Sequence, residues 1–188
     1  MKSLLVLALA ALSSTVAVAE PLTYVIDPNH TFCRFSYTHL GFSLQSSRFD
    51  KTAGVVVYDA AAKSGSVDVT IDTTSVSTGS EQFNGHLRGA EFLDVSEFPS
   101  ATFKSTAVSF KDGVPVSIAG NLTLKGITRP VTLTVTSFKQ GEHPVAHKDA
   151  IGANATATIK RSDFNMAKFV PAVDDELTLT FALEARRQ

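Results

Sequence analysis

The feature of this sequence that most constrains its fold is an alternation of apolar and polar side chains along almost the whole chain. In residues 66–72, for example, valine and isoleucine alternate with aspartate and threonine. A period of two predicts strands that bury one face. The eight segments with this pattern are residues 24–37, 54–59, 66–72, 101–110, 116–125, 131–138, 151–161 and 176–185.

The connections between these predicted strands are mostly short and carry turn residues. Ala-Lys-Ser-Gly at 62–65, Lys-Asp-Gly at 111–113 and Lys-Gly at 125–126 are examples; glycine after a polar residue favours a turn. Short connections favour antiparallel neighbours over helical crossovers. Eight antiparallel strands close into a barrel that is either filled by side chains or holds one ligand. The predicted fold class is therefore all-β, an eight-stranded antiparallel β-barrel.

Two segments lack the alternation, and we predict them to be short helical lids at the barrel ends. Between residues 78 and 94, Phe83, Leu87 and Ala90 have the spacing of one helix face, and Ser80 is placed to act as the N-cap. Gly85 and Gly89 lower the helix propensity, so this helix is expected to be short or irregular. Residues 39–45 are a second candidate for one turn of helix.

The N-terminus has the pattern of an export signal. Lys2 precedes an apolar run over residues 4–12, and an A-x-A cleavage site ends at Ala19. We therefore predict a cleaved signal peptide, residues 1–19, and one mature domain, residues 20–188, in the periplasm. The apolar run is shorter than the ~20 residues of a membrane span, so we expect no stable membrane insertion.

Charge and cysteine content exclude several classes of function. The chain has 17 basic and 18 acidic residues, a net charge of −1, and no basic stripe. This argues against nucleic acid as a partner. The single cysteine, Cys33, rules out an intramolecular disulfide. It lies in an apolar strand, so we interpret it as a small core or wall residue rather than a reactive thiol. No cofactor is predicted.

Small residues in the predicted strands bear on what fills the barrel. Ala153, Ala155 and Ala157 share one face of their strand, and Gly120 interrupts another. Ala101, Phe103, Ser105 and Ala107 are expected to share a further face. If these faces point inward, room remains for a ligand, because an unfilled interior would be costly. The alternative is that the small residues accommodate rings of the 13 phenylalanines. We favour the cavity.

Several stretches, in order along residues 24–185, resemble the YceI-like family of periplasmic polyisoprenoid-binding proteins. The clearest is Gly-Asn-Leu-Thr-Leu-Lys-Gly-Ile-Thr-Arg-Pro-Val-Thr-Leu at 120–133. The other stretches are Tyr-Val-Ile-Asp-Pro-Asn-His at 24–30, Phe-Ser-Tyr-Thr-His at 35–39, Gly-Phe-Ser at 41–43, His-Leu-Arg-Gly-Ala-Glu-Phe-Leu-Asp at 86–94, Phe-Pro-Ser-Ala-Thr-Phe-Lys-Ser at 98–105, Ile-Lys-Arg-Ser-Asp-Phe at 159–164 and Val-Asp-Asp-Glu at 173–176. The resemblance implies a lipocalin-like barrel whose pore takes the extended tail of a long-chain isoprenoid lipid, such as that of a quinone.

On this reading, apolar side chains hold the tail and a few polar groups at one mouth hold the head group. The residues predicted to contact the tail are Phe35, Phe42, Phe49, Phe92, Phe98, Phe103, Ala155, Ala157, Phe164 and Phe169. The residues predicted for the head group, from their positions near strand ends, are His39, Arg48, His86 and Arg161. For each of these four, a surface ion pair or turn hydrogen bond is the alternative.

The chain departs from the family pattern at two places. The family usually has Arg-Asp at the two positions that are Phe83-Asn84 in this chain. An ion pair near the helical lid is therefore absent, and no role of it is carried over. Asn165 replaces the usual glycine after Arg-Ser-Asp-Phe. Asparagine is the next most tolerant residue at positive φ, so we expect this turn to be preserved.

Three other functions compete with lipid binding. An enzyme is not expected, since no G-x-S-x-G or Cys-His arrangement is present. His143 and His147, with Glu142 and Asp149 nearby, are a weak candidate for a metal site, although Pro144 predicts a loop there. A barrel filled by its own side chains would instead be an interaction module. Exposed phenylalanines would favour a homodimer.

Overall fold

The protein is built almost entirely of β-strands joined by turns, and its computed structural model describes residues 20–188. The predicted signal peptide, residues 1–19, lies outside the described residues. The strands are β1 (Leu22–Ile26), β2 (Phe32–His39), β3 (Ser43–Phe49), β4 (Thr52–Asp59), β5 (Ser64–Asp72), β6 (Val76–Ser77), β7 (Ser100–Lys111), β8 (Val114–Leu124), β9 (Ile127–Glu142), β10 (Asp149–Lys160) and β11 (Glu176–Arg187). Within residues 20–188 the one α-helix is α1 (Glu81–Arg88).

The sheet closes on itself into an antiparallel barrel. The order β1-β4-β5-β7-β8-β9-β10-β11 returns to β1 through pairing of β1 with β11, where Tyr24 lies opposite Arg187. The short strands β2, β3 and β6 continue the lines of β1, β4 and β5: β2 pairs with β11, β3 with β2, and β6 with β3. Three of the barrel strands are thus each divided in two. The prediction of an eight-stranded antiparallel barrel is confirmed.

The divided strands are interrupted where side chains capture backbone groups. The predicted strand over residues 24–37 breaks after β1, where Pro28 has no N–H to donate. There Asp27 accepts a hydrogen bond from the Asn29 N–H at 3.0 Å. Between β5 and β6, a 3-10 turn at Thr73–Ser75 begins at Asp72, whose carboxylate accepts from the Thr74 N–H at 2.9 Å. Aspartates that satisfy turn amides thus interrupt both strands, and one of them divides the segment 24–37 that alternation alone predicts to be continuous.

The first helical lid is present. Helix α1 begins after Ser80, whose hydroxyl accepts from the Phe83 N–H, and it ends at Gly89. The second predicted helix, at residues 39–45, is wrong. This segment is the tight turn between β2 and β3, in which Leu40 and Gly41 have φ values of 53° and 73°. Pairing of Thr38 with Leu44 across the hairpin satisfies backbone groups that one isolated helical turn would leave free.

A bulge corrects the face predicted for the Ala101–Ala107 segment. The register of β7 against β8 shifts between Ser105 and Ala107, so the alternation reverses there. Ala107 is exposed, and Val108 and Phe110 point to the interior in its place. The prediction that Ala107 faces inward with Phe103 is therefore wrong, whereas Ser105 lies before the shift and keeps the register of Phe103.

The turn at Asn165 is preserved, as predicted. A 3-10 turn at Arg161–Phe164 ends at Asn165, which has φ 58° and ψ 40°. This left-handed conformation is one that asparagine tolerates better than most residues.

Within residues 20–188, no helix is long and apolar enough to cross a bilayer.

Candidate ligand cavity

An elongated apolar cavity of about 280 Å³ runs through the barrel interior. Its volume is close to the lower end of the range of small-molecule sites, ~300–1,000 Å³. Every strand of the closed barrel except β1 contributes side chains to the wall, and so do β2, β3 and α1. The wall is almost wholly aliphatic and aromatic; its few polar members include Cys33, His39, His86 and Arg161. The cavity therefore suits a molecule with a long apolar part.

Strand β10 shows how the sequence leaves this space open. Ile151, Ala153, Ala155 and Ile159 point into the cavity, so two methyl groups occupy positions where larger side chains would fill the barrel. Gly120 has a different role. A Cβ atom there would lie 2.5 Å from Cζ of Phe103, so the glycine accommodates that ring. The small residues of β10 therefore leave room for a ligand, whereas Gly120 accommodates a phenylalanine ring.

One end of the cavity, far from α1, is lined by aromatic rings. The ring of Tyr58 lies 5.2 Å from that of Phe138 and 6.2 Å from that of Phe110. Behind this layer the fully buried Tyr24 donates a hydrogen bond to the Asp149 carboxylate at 2.6 Å. Burial, together with that carboxylate, raises the pKa of Tyr24 to about 12.

The opposite end, beneath α1, carries a second aromatic cluster. His86 lies 4.8 Å from Phe92, 6.0 Å from Phe83 and 6.5 Å from Phe169, measured between ring centroids. All four side chains contribute to the cavity wall, and Phe169 is 52% exposed. This end is the mouth, because here wall residues reach solvent and polar groups stand beside the apolar interior.

Arg161 is the charged group most deeply placed at the mouth. It is buried and lines the cavity, and its guanidinium donates to the carbonyl oxygens of Met166, Lys168, Val173 and Asp174. Within residues 20–188 no carboxylate oxygen lies within 4.0 Å of it. Burial lowers the pKa of Arg161 below its ordinary value. Since a guanidinium has five N–H donors, one remains for a further acceptor.

The structure brings six of the ten predicted tail residues to the cavity wall. These are Phe35, Phe49, Phe92, Phe103, Ala155 and Phe169. The other four lie outside the wall. Phe42 is at the β2–β3 turn and 90% exposed, Phe98 packs against Gly126, and Ala157 and Phe164 are buried in the packed core. These four have no place on the wall, and contact of the other six with a ligand stays a prediction.

Three of the four predicted head-group residues, His39, His86 and Arg161, lie on the wall. Arg48 does not. Its Nε lies 2.6 Å from the Asp50 carboxylate, and its guanidinium covers the ring of Phe32 at 4.7 Å. For Arg48 the alternative, a surface ion pair, is the one that the structure supports.

Several wall residues are absent from the predicted set although they follow the alternation of their strands. Strand β11 places Leu177, Leu179, Phe181 and Leu183 in the wall, each separated by a residue that points out. Tyr37 is two residues beyond Phe35 on β2 and also lines the cavity. Both sets could have been found by extending the period of two from a residue already assigned to the interior.

The weak candidate for a metal site lies at the far end of the barrel. His143 accepts hydrogen bonds from the Val145 and Ala146 N–H groups, while His147 lies 3.2 Å from the Glu142 carboxylate. Within the described part of the chain, no three His, Cys, Asp or Glu side chains are grouped to hold a metal ion.

A closed antiparallel barrel around an apolar cavity with one polar mouth defines a lipocalin-like barrel of the ligand-holding class. The YceI-like domain model matches residues 24–185, and the chain belongs to this family. The "Protein YceI" sequences of Salmonella arizonae and Salmonella heidelberg are both 40% identical to it over 190 residues, covering 100% of this chain and 98% of each relative.

Solved structures share the fold. BcnA of Burkholderia cenocepacia has a TM-score of 0.71 at 27% identity, covering 85% of this chain and 99% of that one. The YceI protein of Campylobacter jejuni has a TM-score of 0.69 at 25% identity, covering 80% and 90%. A polyisoprenoid binding domain from Saccharophagus degradans, implicated in plant cell wall breakdown, has a TM-score of 0.66 at 18% identity, covering 89% and 99%, a likeness of fold alone.

Proposed function

We propose that this protein binds the apolar tail of a long-chain isoprenoid lipid inside its barrel and carries or stores that lipid in the periplasm without catalysing a reaction. The observation that carries the proposal is the cavity itself, about 280 Å³ and walled almost entirely by apolar side chains. An isoprenoid tail offers no hydrogen bonds, so its affinity must come from apolar burial, up to ~0.8 kcal/mol per methylene group.

The shape of the wall favours an extended tail over a compact ligand. Wall residues on β10 run from Ile151 to Ile159. Eight residues at a rise of ~3.3 Å, tilted ~40° to the barrel axis, give a length of ~20 Å. The description of the Saccharophagus domain as polyisoprenoid binding supports the same class of ligand.

The polar groups of the mouth are the proposed contacts for the head group. Arg161 has one guanidinium N–H left after its four backbone bonds, and His86 and His39 lie at the same end of the wall. A head group with an acceptor oxygen, such as a quinone carbonyl or a phosphate, fits these donors. The periplasmic location rests on the sequence of residues 1–19, with its apolar run and A-x-A site.

Native mass spectrometry of protein purified from the periplasm without detergent tests the proposal, with organic extraction of the same sample. A bound species with the mass of a prenylated lipid, on a chain beginning at Glu20, is the expected result. The extracted protein should then bind isoprenoid alcohols of increasing length, with affinity that rises until the cavity is full and then stays constant.

The alternatives predict other outcomes. A clean unliganded mass, together with no binding of added isoprenoids and no rise in melting temperature, would refute lipid carriage and leave the interaction module. Zinc titration followed by chelation tests the loop with His143 and His147. A melting temperature that changes with zinc and reverts with the chelator would favour the metal site.

A further inference from the structure

Large apolar side chains are exposed beside the cavity mouth. Phe42 is 90% exposed, Leu44 73% and Leu40 49%, all at the β2–β3 hairpin, and Phe169 is 52% exposed in the segment before β11. The hairpin and this segment are joined, because the Leu40 N–H donates to the Ala172 carbonyl at 3.1 Å. We call Leu40, Phe42, Leu44 and Phe169 the apolar rim.

Backbone strain shows that two rim residues occupy positions unfavourable for them. Leu40 and Gly41 both have positive φ, the pattern of a type I′ turn, in which Asn-Gly is strongly preferred. Phe169 also has positive φ, at 67°. Left-handed backbone in a bulky residue is rare and clusters at functional sites. Leu40 is exposed, and only part of the Phe169 side chain packs in the aromatic cluster. Packing alone therefore does not account for a leucine and a phenylalanine in these positions.

The hairpin tip also lacks charge. Residues 40–47 contain no Asp, Glu, Lys or Arg, and residues 39–46 are all exposed. Phe42 lies in the turn and Leu44 on β3 two residues later, and both side chains are exposed. The tip is thus a narrow, uncharged projection, able to enter an apolar phase without desolvating a carboxylate or an ammonium group.

We propose that the apolar rim inserts into the surface of a lipid bilayer and so places the cavity mouth against the membrane during loading and release of the ligand. This inference rests on the proposed function: a long apolar tail leaving a bilayer for this cavity would otherwise cross water. Phe169 belongs both to the rim and to the cavity wall, so the surface that enters the bilayer is continuous with the site. A second copy of the chain fits less well, because a stable dimer needs about 20–30 residues a side and the rim has four.

Vesicle flotation of the mature chain tests the proposal, with phosphatidylcholine vesicles and with vesicles of phosphatidylethanolamine and phosphatidylglycerol. The wild-type protein is expected to float with both, at low and high salt, because apolar insertion is not screened. Phe42→Ser together with Leu44→Ser should weaken binding at least about 10-fold, since burial of one phenylalanine alone is equivalent to about 10- to 100-fold. Val145→Ser is the matched control, because Val145 is 80% exposed at the opposite end of the barrel.

Leu40→Asn separates a docking role from a structural one. Asparagine is preferred in this turn, so the melting temperature should rise while vesicle binding falls. Uptake of a fluorescent polyisoprenoid from vesicle-free solution is measured on the same samples. Normal uptake by the Phe42→Ser, Leu44→Ser variant with lost flotation supports the inference, because neither residue lines the cavity.

Two results would overturn membrane docking while the proposed function stands. One is normal uptake by wild-type protein that floats with neither vesicle; the other is equal flotation of wild-type and variant. Dimerisation in analytical ultracentrifugation that these substitutions abolish, without flotation, would assign the rim to a second copy. Failure of all samples to take up the tail would refute the proposed function, and the loading role with it.

Discussion

Replacement of Ala155 by phenylalanine tests whether the space in the barrel holds a tail. Ala155 points into the cavity from β10. It lies four residues closer to the mouth than Ile151, which is at the far end of the wall. At ~3.3 Å per residue and ~40° of tilt, a ring there obstructs the last ~10 Å of the cavity. One five-carbon isoprene unit excluded from that part loses up to ~4 kcal/mol of gross burial.

The net effect is smaller, because an ordered tail also loses conformational freedom. We expect a loss of ~1–3 kcal/mol in binding free energy, which is about 5- to 150-fold in Kd. The affinity of the Ala155→Phe variant should stop rising at a shorter tail than that of the wild type, while short isoprenoids bind equally well. Titration of the delipidated protein with isoprenoid alcohols of graded length measures both. Thr158→Phe adds the same ring to the exposed face of β10 and is the control.

The same variant should also differ in its stability without ligand according to whether the barrel is open or filled. If the cavity is open, the ring fills empty space, and the melting temperature of the unliganded Ala155→Phe variant stays at or above that of the wild type. A filled interior would instead lose ~1–3 kcal/mol through overpacking. That loss, or an unchanged dependence of affinity on tail length, would refute the assignment of the cavity to the tail.

Three further predictions concern the residues that hold the barrel and its mouth. Arg161→Met leaves four carbonyl oxygens without their donor. The free energy of unfolding, measured in urea, should therefore fall by ~2–4 kcal/mol. An unchanged unfolding midpoint would show that the Arg161 hydrogen bonds are dispensable. Gly120→Ala puts a Cβ 2.6 Å from the Lys104 carbonyl oxygen and 2.5 Å from the Phe103 ring. It should therefore lower the free energy of unfolding by ~1–3 kcal/mol. Gly141→Ala, with open space around its Cβ position, should lower it by less than half as much. Hydrogen bonds from His30, Asn29 and Arg186 lower the pKa of Asp27 to about 2. This carboxylate therefore stabilises the fold fully above pH ~4 and less as the pH falls towards 2. Asp27→Asn should lower the melting temperature at pH 6 and much less at pH 2; an equal loss at both would contradict the assignment.

The class of fold was accessible from the sequence because the strand period is local. Alternation at residues 66–72 or 176–185 marks which face is buried without reference to any partner strand. The N-cap of α1 at Ser80 and the left-handed turn at Asn165 are equally local, since each depends on one side chain and its own backbone. Eight such segments with short turns leave few arrangements other than a meander that closes.

The candidate site was only partly accessible, because it depends on register and on the ends of elements. The bulge near Thr106 reverses the faces of β7, so Phe110 points into the cavity. Uninterrupted alternation from Phe103 would have placed Phe110 on the outer face. Phe42 and Phe169 are both phenylalanines near strand ends, yet one lies outside the wall and the other in it. No local pattern distinguishes them.

The sequence by itself thus determined most of the barrel strands, their antiparallel order, the lid helix and an interior with small residues, since all of these follow from periodicity, caps and turns within a few residues. It did not show β3, which lies partly in the segment wrongly predicted as a second helix. Only the tertiary structure decided which end of the barrel is the mouth, because His39, His86 and Arg161 come together there from three separated segments. It also decided that Arg161 has carbonyl partners rather than a carboxylate. Contacts between residues far apart in sequence depend on how the barrel closes, and no local preference encodes that closure.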